Sequence, residues 1–288
     1  MAARPRTLPA AIAPVLVGTA AVVAEVDRLP RTGAFIAALI GSIFIQIGTN
    51  LVNDYSDAKR GADTVDRLGP VRVTAAGLVA PRSVLVATWF AFAVAVAAGV
   101  YLATVAGPII LAVGVVSILA GVLYTGGPRP YGYAGLGEVF VFLFFGLVAV
   151  NGSYYVQLEQ LDWLPFGLSI SIGALSTAIL VVNNVRDIDT DRRVGKRTLA
   201  VRLGRARTRR LFTALLAVAY LALPLTLLAT ETSAWSLLGF LSLPVAKRAA
   251  DPVLTRSDGP SLNRALARTG VLLAAFSLLL SAGLLISA

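Results

Sequence analysis

QIGTNLVNDYSDAKRGADTVDRLGPVR, residues 46–72, is where a long apolar run gives way to two asparagines and four acids, Asp54, Asp57, Asp63 and Asp66. Asn50, Asp54 and Asp57 stand at i, i+4 and i+7, so a helix carried through them presents all three on one face. NNVRDIDTDRRVGKRT, residues 183–198, has the same construction: Asn183, Asn184, Asp187 and Asp191 again share a face. The two stretches hold seven of the chain's 15 acids. Any fold must account for two acidic helix ends lying far apart in sequence.

Working outward, the chain is 57% hydrophobic and 14% charged, with a mean hydropathy of +0.80. A soluble domain is about a quarter charged, so these 288 residues read as membrane-embedded. Runs able to span need roughly 20 apolar residues. They fall at 8–26, 35–51, 84–105, 109–124, 139–156, 164–182, 211–228, 235–245 and 271–286, the eighth being short. Lipid offers no partner to bare backbone, so these runs are helices. The expected fold is all-α: a polytopic membrane protein of about nine transmembrane helices around a central cavity. No hydrophilic linker divides residues 1–288, which read as one domain; the paired acidic stretches suggest a diverged internal repeat. The first run is read as a retained helix rather than a leader.

Basic residues set the orientation. With the N-terminus (Arg4, Arg6) cytoplasmic, all of the 25 Lys and Arg except Arg28 and Arg31 fall inside, a strong positive-inside bias. The short eighth helix is needed for this, because without it Lys247, Arg248, Arg256, Arg264 and Arg268 would face outward. Both acidic stretches then sit on the cytoplasmic side of a cell membrane. The same bias accounts for most of the net charge of +10, so no nucleic-acid partner is implied. The absence of Cys excludes disulfides and thiol chemistry, and the absence of His removes imidazole as base or ligand.

Carboxylates at a helix end, without His or Cys, suit a hard cation such as Mg²⁺ held through oxygen. The free carbonyls of a helix C-terminus add to that preference. Lys59, Arg60, Arg72, Lys196 and Arg197 stand beside the acids and suit an anionic partner, and a phosphate ester bridged by Mg²⁺ satisfies both. The blander reading has the acids capping a polar loop and pairing with neighbours for solubility; two such stretches weigh against it. A transporter is the competing class, but transporter ion sites gather near the bilayer midplane. A phospholipid-headgroup transferase would carry its acids in one contiguous motif. The glycines of YTGGPRPYGYAGLGE, residues 124–138, permit close approach of backbone to a ligand.

These residues resemble the UbiA-type intramembrane prenyltransferases, which have nine transmembrane helices and two aspartate-rich motifs after helices two and six. The family's first motif, N-D-x-x-D-x-x-x-D, is met by Asn53, Asp54 and Asp57, but Gly61 takes the next place and the acid comes at Asp63. That departure, with D-R-x-G-P-x-R, Y-T-G-G-P-x-P-x-G-Y-x-G-L-G-E and R-D-I-x-x-D-x-x-x-G-K-R-T, is similar to the branch that prenylates 1,4-dihydroxy-2-naphthoate. The 4-hydroxybenzoate branch fits less well. The resemblance runs from Arg4 to about Gly204.

The resemblance implies Mg²⁺-dependent transfer of a polyprenyl group from its diphosphate to dihydroxynaphthoate, with loss of CO₂ and diphosphate. It assigns Asp54, Asp57, Asp187 and Asp191 to the metal. Asn50, Asn53 and Asn184 would orient it or touch phosphate; Lys196, Arg72 and Tyr124 would contact the diphosphate, with Asp63, Lys59, Arg60 and Arg197 beside them. Gln46 and Asn151 are polar inside helices and either touch the aromatic acceptor or bond a neighbouring helix. Tyr131, Tyr133, Tyr154 and Tyr155 are further cavity candidates, and Glu138 reads as a helix N-terminal charge.

Overall fold

The computed structural model describes Arg4 and residues 7–63 and 68–288. Arg6 and Asp66 lie outside the described residues. The chain is a helical, multi-pass membrane protein. Its helices are α1 (Leu8–Val26), α2 (Thr32–Lys59), α3 (Pro81–Ala106), α4 (Ile109–Leu123), α5 (Gly137–Leu158), α6 (Trp163–Arg193), α7 (Leu199–Thr230), α8 (Leu243–Thr255) and α9 (Gly259–Ile286). Among the described residues seven helices are long and apolar enough to cross a membrane; α4 has 15 residues and α8 has 13.

The eighth apolar run, 235–245, is not the plain α-helix expected. Ala234–Ser242 winds as a 3₁₀-helix and hands over to α8 at Leu243. In this tighter coil residues three apart eclipse one another, and Ser236, Gly239 and Ser242 are its buried positions. Small side chains at that period let the segment press on α9, where a Cβ on Gly283 would stand 2.1 Å from the Trp235 carbonyl oxygen. Helix α8 is amphipathic, burying Ala246, Ala249 and Val253 and exposing Lys247, Arg248 and Asp251.

Hydropathy under-reads four other helices. α2 runs on to Lys59 and α6 to Arg193, so Asp54, Asp57, Asp187, Asp189 and Asp191 lie on the helices themselves, while Asp63 follows the end of α2. α7 begins at Leu199 and α9 at Gly259, each with about a dozen more polar residues ahead of the apolar run. α7 bends at Gly204, whose φ of 76° is open to glycine and strained for other residues. These polar extensions project at one end of the bundle. There the described parts of the 60–80 connection meet 124–136 through Arg60 and the start of α9 through Leu68, and 194–198 meets 124–136 through Arg197. The connections 27–31 and 159–162 join at the other end through Arg31, which bonds Gln157, Val156 and Glu159.

Two packed regions flank an interior space. The larger joins α1, α5, α6, α7 and α9 around Val17, Leu168, Ile172, Leu175, Phe212 and Phe276. The smaller joins α2, α3, α4 and α5 through Ala34, Ala98, Leu102, Ile110 and Val156. Van der Waals fit and small residues, rather than hydrophobic exclusion, hold helices together in lipid. α5 shows this at its π-helical segment Phe142–Val148, where Gly146 lies against α6. A Cβ there would come within 2.7 Å of Gly173 Cα and of the Ser169 carbonyl oxygen. Because both obstacles are backbone, Gly146→Ala is expected to cost about 1–3 kcal/mol, as overpacking does. Thermal unfolding in detergent measures it, and an unchanged midpoint would contradict this contact.

Candidate active site

The site begins with the polar turns of α2. Asn50, Asp54 and Asp57 are buried, as their shared face predicts, and Asn53 is buried beside them. Buried charge is tolerated only where donors meet it, and each carboxylate here has its own. Asp54 accepts the backbone N–H of Thr74 at 3.0 Å on one oxygen and that of Val73 at 3.2 Å on the other. Asp57 accepts Arg72 Nη2 at 3.1 Å and the Tyr133 hydroxyl at 2.9 Å, again one per oxygen. Thr125 donates to Asn53 Oδ1 at 2.8 Å, while Gln46 and Asn50 both donate to Thr7 Oγ1 at the head of α1. The loops 60–80 and 124–136 are thus drawn onto the first motif by its own side chains.

The second motif occupies the last turns of α6. Asp187 is gripped by Arg186, Nε to Oδ1 at 2.8 Å and Nη2 to Oδ2 at 2.6 Å. Asn184 donates to Glu138 Oε1 at 2.8 Å. Glu138 is buried, with its second oxygen free of partners among the described residues, so it holds Asn184 rather than serving as a solvated helix-end charge. Asp191 is buried on the same face.

Both motifs open on one cavity of about 650 Å³, within the range of small-molecule sites. Its polar end is lined by Asn50, Asn53, Asp54, Asp57, Arg72, Tyr124, Asn183, Asn184, Arg186, Asp187, Asp191 and Lys196. Its walls then turn apolar, with Ala38, Ile45, Leu102, Ile110, Val113, Phe144, Phe145 and Val156. Along one side runs an aromatic series: Tyr124 meets Tyr131 edge-on at 5.4 Å, Tyr131 stacks on Phe140 at 4.0 Å, and Phe140 on Phe144 at 6.1 Å.

Several expected residues stand elsewhere. Asp63 does not line the cavity; it faces Arg72 Nε at 3.5 Å. Arg60 donates to the carbonyls of Thr125 and Gly127 and lies over the Tyr133 ring, fastening the loop instead of facing the cavity. Lys59 and Arg197 are exposed outside the cavity wall; the Arg197 backbone N–H bonds the Tyr133 carbonyl at 3.1 Å. Asn151 turns back to the Leu147 carbonyl of its own helix, and Tyr154 bonds Glu25 at the far end of the bundle. Lys196 does line the cavity, its ammonium 4.9 Å above the Tyr133 ring. Arg186 and Thr125 were not singled out as site residues by sequence. Arg186 sits inside an acidic motif, where an Arg reads equally well as a solvated neighbour.

The arrangement fits a cation and an anion together. Among the described residues no three carboxylates lie close enough to hold one ion by themselves. Mg²⁺ is ordinarily bound by one or two carboxylates plus substrate phosphate oxygens, so two acids per motif suffice. A carboxylate has about four lone-pair sites, and the donors above take one on each oxygen of Asp54, Asp57 and Asp187, with the Asn183 amide a further, long contact at 3.5 Å from Asp187 Oδ2. Arg72 Nη1, buried and without a hydrogen-bond partner among the described residues, leaves an N–H donor available to an anion.

The profile of the UbiA prenyltransferase family matches residues 11–272. The 1,4-dihydroxy-2-naphthoate octaprenyltransferase of Mycobacterium tuberculosis is 46% identical over 282 residues, 98% of this chain and 94% of that protein. The enzyme of the same name from Escherichia coli is 37% identical over 272 residues, 92% and 88% of the two chains. Among solved structures, the apo UbiA homolog from Aeropyrum pernix K1 superimposes with a TM-score of 0.71 at 16% identity, over 95% of this chain and 97% of that one. The UbiA homolog from Archaeoglobus fulgidus bound to DMAPP and Mg²⁺ gives 0.62 at 14% identity over 97% of each chain. At these identities the structural likeness establishes the fold.

Burial, and after it the nearby Asp57, hold the Tyr133 phenol well above its ordinary value of 10.0, so it stays a neutral donor. Tyr133→Phe removes that donor from Asp57 and leaves Arg72 in place. A hydrogen bond to a charged group is worth about 1.5–3 kcal/mol, so the affinity for a diphosphate with Mg²⁺ should fall about 10- to 100-fold by calorimetry. The pH dependence of binding up to about 10 should be the same in both proteins, since neither has an ionised phenol there.

Proposed function

The chain belongs to the UbiA prenyltransferase family, and on that premise we propose that it joins a polyprenyl group to 1,4-dihydroxy-2-naphthoate. Diphosphate and CO₂ leave, and the product is demethylmenaquinone in its reduced form. The observation that carries this reading is the single cavity with both acidic motifs at one end and an apolar continuation beyond them. An amphiphile with a phosphate head and an isoprenoid tail has that same division.

Four carboxylates, Asp54, Asp57, Asp187 and Asp191, would hold Mg²⁺. Bound there, it would neutralise charge developing on the leaving diphosphate. Arg72 and Lys196 would add N–H donors to the same oxygens, the electrostatic stabilisation on which such ionisations depend. The allylic C–O bond breaks with its electron pair going to diphosphate, leaving a delocalised cation. Tyr124, Tyr131, Phe140 and Phe144 present aromatic surface along the wall where that cation would lie. The apolar walls exclude water, which would otherwise trap the cation. The ring carbon bearing the carboxylate then attacks and forms the new C–C bond. Departure of CO₂ returns the electron pair of its C–C bond to the ring, so no strong base is needed at that carbon, in keeping with a chain that has no histidine.

The homologues named as naphthoate octaprenyltransferases support the acceptor and a long prenyl donor, and the Mg²⁺-bound family structure supports the metal. The charge asymmetry of the loops supports placing the cavity's polar end at the cytoplasmic face of the plasma membrane. We take residues 1–288 as one domain in which α2 and α6 are the counterparts of a diverged repeat.

Purified protein given Mg²⁺, octaprenyl diphosphate and a panel of hydroxylated aromatic acids should yield a prenylated, decarboxylated naphthoquinol by mass spectrometry. Product from 4-hydroxybenzoate and none from dihydroxynaphthoate would reassign the acceptor. Asp54→Asn and Asp187→Asn should each lower turnover on the order of a hundredfold or more while the protein stays folded; full activity in either would remove the metal assignment.

A further inference from the structure

Arg186 is among the largest fully buried side chains of the protein, at 1% exposure. Beyond its two-point grip on Asp187, Nη2 donates to Asn183 Oδ1 at 2.8 Å and Nη1 to Asn263 Oδ1 at 2.7 Å. Asn263 lies on α9, and its own amide donates to the Leu68 carbonyl at 2.7 Å. A line of hydrogen bonds therefore runs from the 60–80 connection through α9 to a carboxylate at the polar end of the cavity.

Stability alone gives a poor reason for this construction. Burying an ion pair carries a large desolvation cost for each ion, and apolar residues of similar volume commonly serve as well. A guanidinium fork does something apolar packing cannot: it holds a carboxylate plane at two points. Here the fork takes one lone-pair site on each Asp187 oxygen; the Asn183 amide stands 3.5 Å from Oδ2, and Oδ1 keeps a site that the fork does not use. Carboxylates that bind metals are regularly held this way by an outer layer of donors. Arg186 borders the cavity, but four of its five N–H groups are committed to Asp187, Asn183 and Asn263, so the side chain acts mainly through Asp187.

We propose that Arg186 is a positioning residue, anchored by Asn263, that aims the Asp187 carboxylate at the Mg²⁺–diphosphate head of the substrate. The proposal rests on the prenyltransferase reading above.

The test uses the full-length protein in detergent with a non-reactive thio analogue of a prenyl diphosphate, titrating Mg²⁺ by calorimetry and by thermal shift, with turnover measured in parallel. Wild type, Arg186→Leu, Arg186→Lys, Asn263→Ala and the Arg186→Leu/Asn263→Ala pair are compared. Outer-layer losses typically weaken metal binding about 10- to 100-fold. That is expected for Arg186→Leu, with a smaller change for Asn263→Ala and no rescue by Lys, whose ammonium cannot reproduce the fork. The double variant should bind Mg²⁺ no more weakly than Arg186→Leu alone, because Asn263 acts through Arg186. A purely structural role would lower the melting temperature and leave the Mg²⁺ titration in place. Wild-type-like Mg²⁺ affinity in Arg186→Leu overturns the proposal, as it does in Asn263→Ala should Arg186→Leu fail to fold. If wild type itself binds the analogue without regard to Mg²⁺ and forms no product, the prenyltransferase reading falls and takes this proposal with it.

Discussion

A carboxylate removed from water has to be met by donors, and the polar end of this protein is organised by that requirement. Asp54 is met by two backbone N–H groups of the 60–80 connection, Asp57 by Arg72 and Tyr133, and Asp187 by Arg186. The partners of the α2 acids come from loop segments, whereas Arg186 is the chain neighbour of Asp187 and is itself anchored by Asn263 of α9. Satisfying the acids of α2 therefore also closes the loops over that helix, and the same bonds build the site and tie down the polar face. An apolar substitute at any of these positions would leave the loop donors unmet, which is costly in a buried setting.

Away from the acids the protein is held by fit. Glycine and alanine at helix contacts bring backbones close, as at Gly146 on Gly173, and at Gly18, where a Cβ would stand 2.3 Å from the Val150 carbonyl oxygen. The helices do not close everywhere. Between the α1/α5/α6/α7/α9 core and the smaller α2/α3/α4/α5 core the walls are apolar and the space stays open. The cavity joins a charged head region to an apolar one without any break in the bundle, and α6, with 78% of its most apolar stretch buried, is the post on which both regions lean.

The aromatic and basic residues show how far local chemistry can mislead. Four tyrosines were equal candidates by type, yet Tyr131 lines the cavity, Tyr133 holds Asp57, Tyr154 is buried at the opposite end and Tyr155 packs against the smaller core. Arg60 and Arg72 are both arginines beside the first motif. Arg72 reaches the cavity, while Arg60 is spent on loop carbonyls.

By itself, the sequence determined the membrane class, the helical fold and the pairing of two acidic helix ends. Hydropathy and helical period are local properties, and a lipid environment leaves an apolar run little choice but a helix. It also marked Asn50, Asp54, Asp57, Asp187 and Asp191 as one-faced sets, because their spacing is written in the chain. Only the tertiary structure decided which donor meets which acid, that Glu138 serves Asn184 and Arg186 serves Asp187, that Asp63 stands behind Arg72, and that the eighth run begins as a 3₁₀ coil. The donors of Asp54 and the Glu138–Asn184 bond come from separate elements, and even Arg186, the chain neighbour of Asp187, is anchored by Asn263 of α9; no pattern within a single helix encodes the partner that arrives from another.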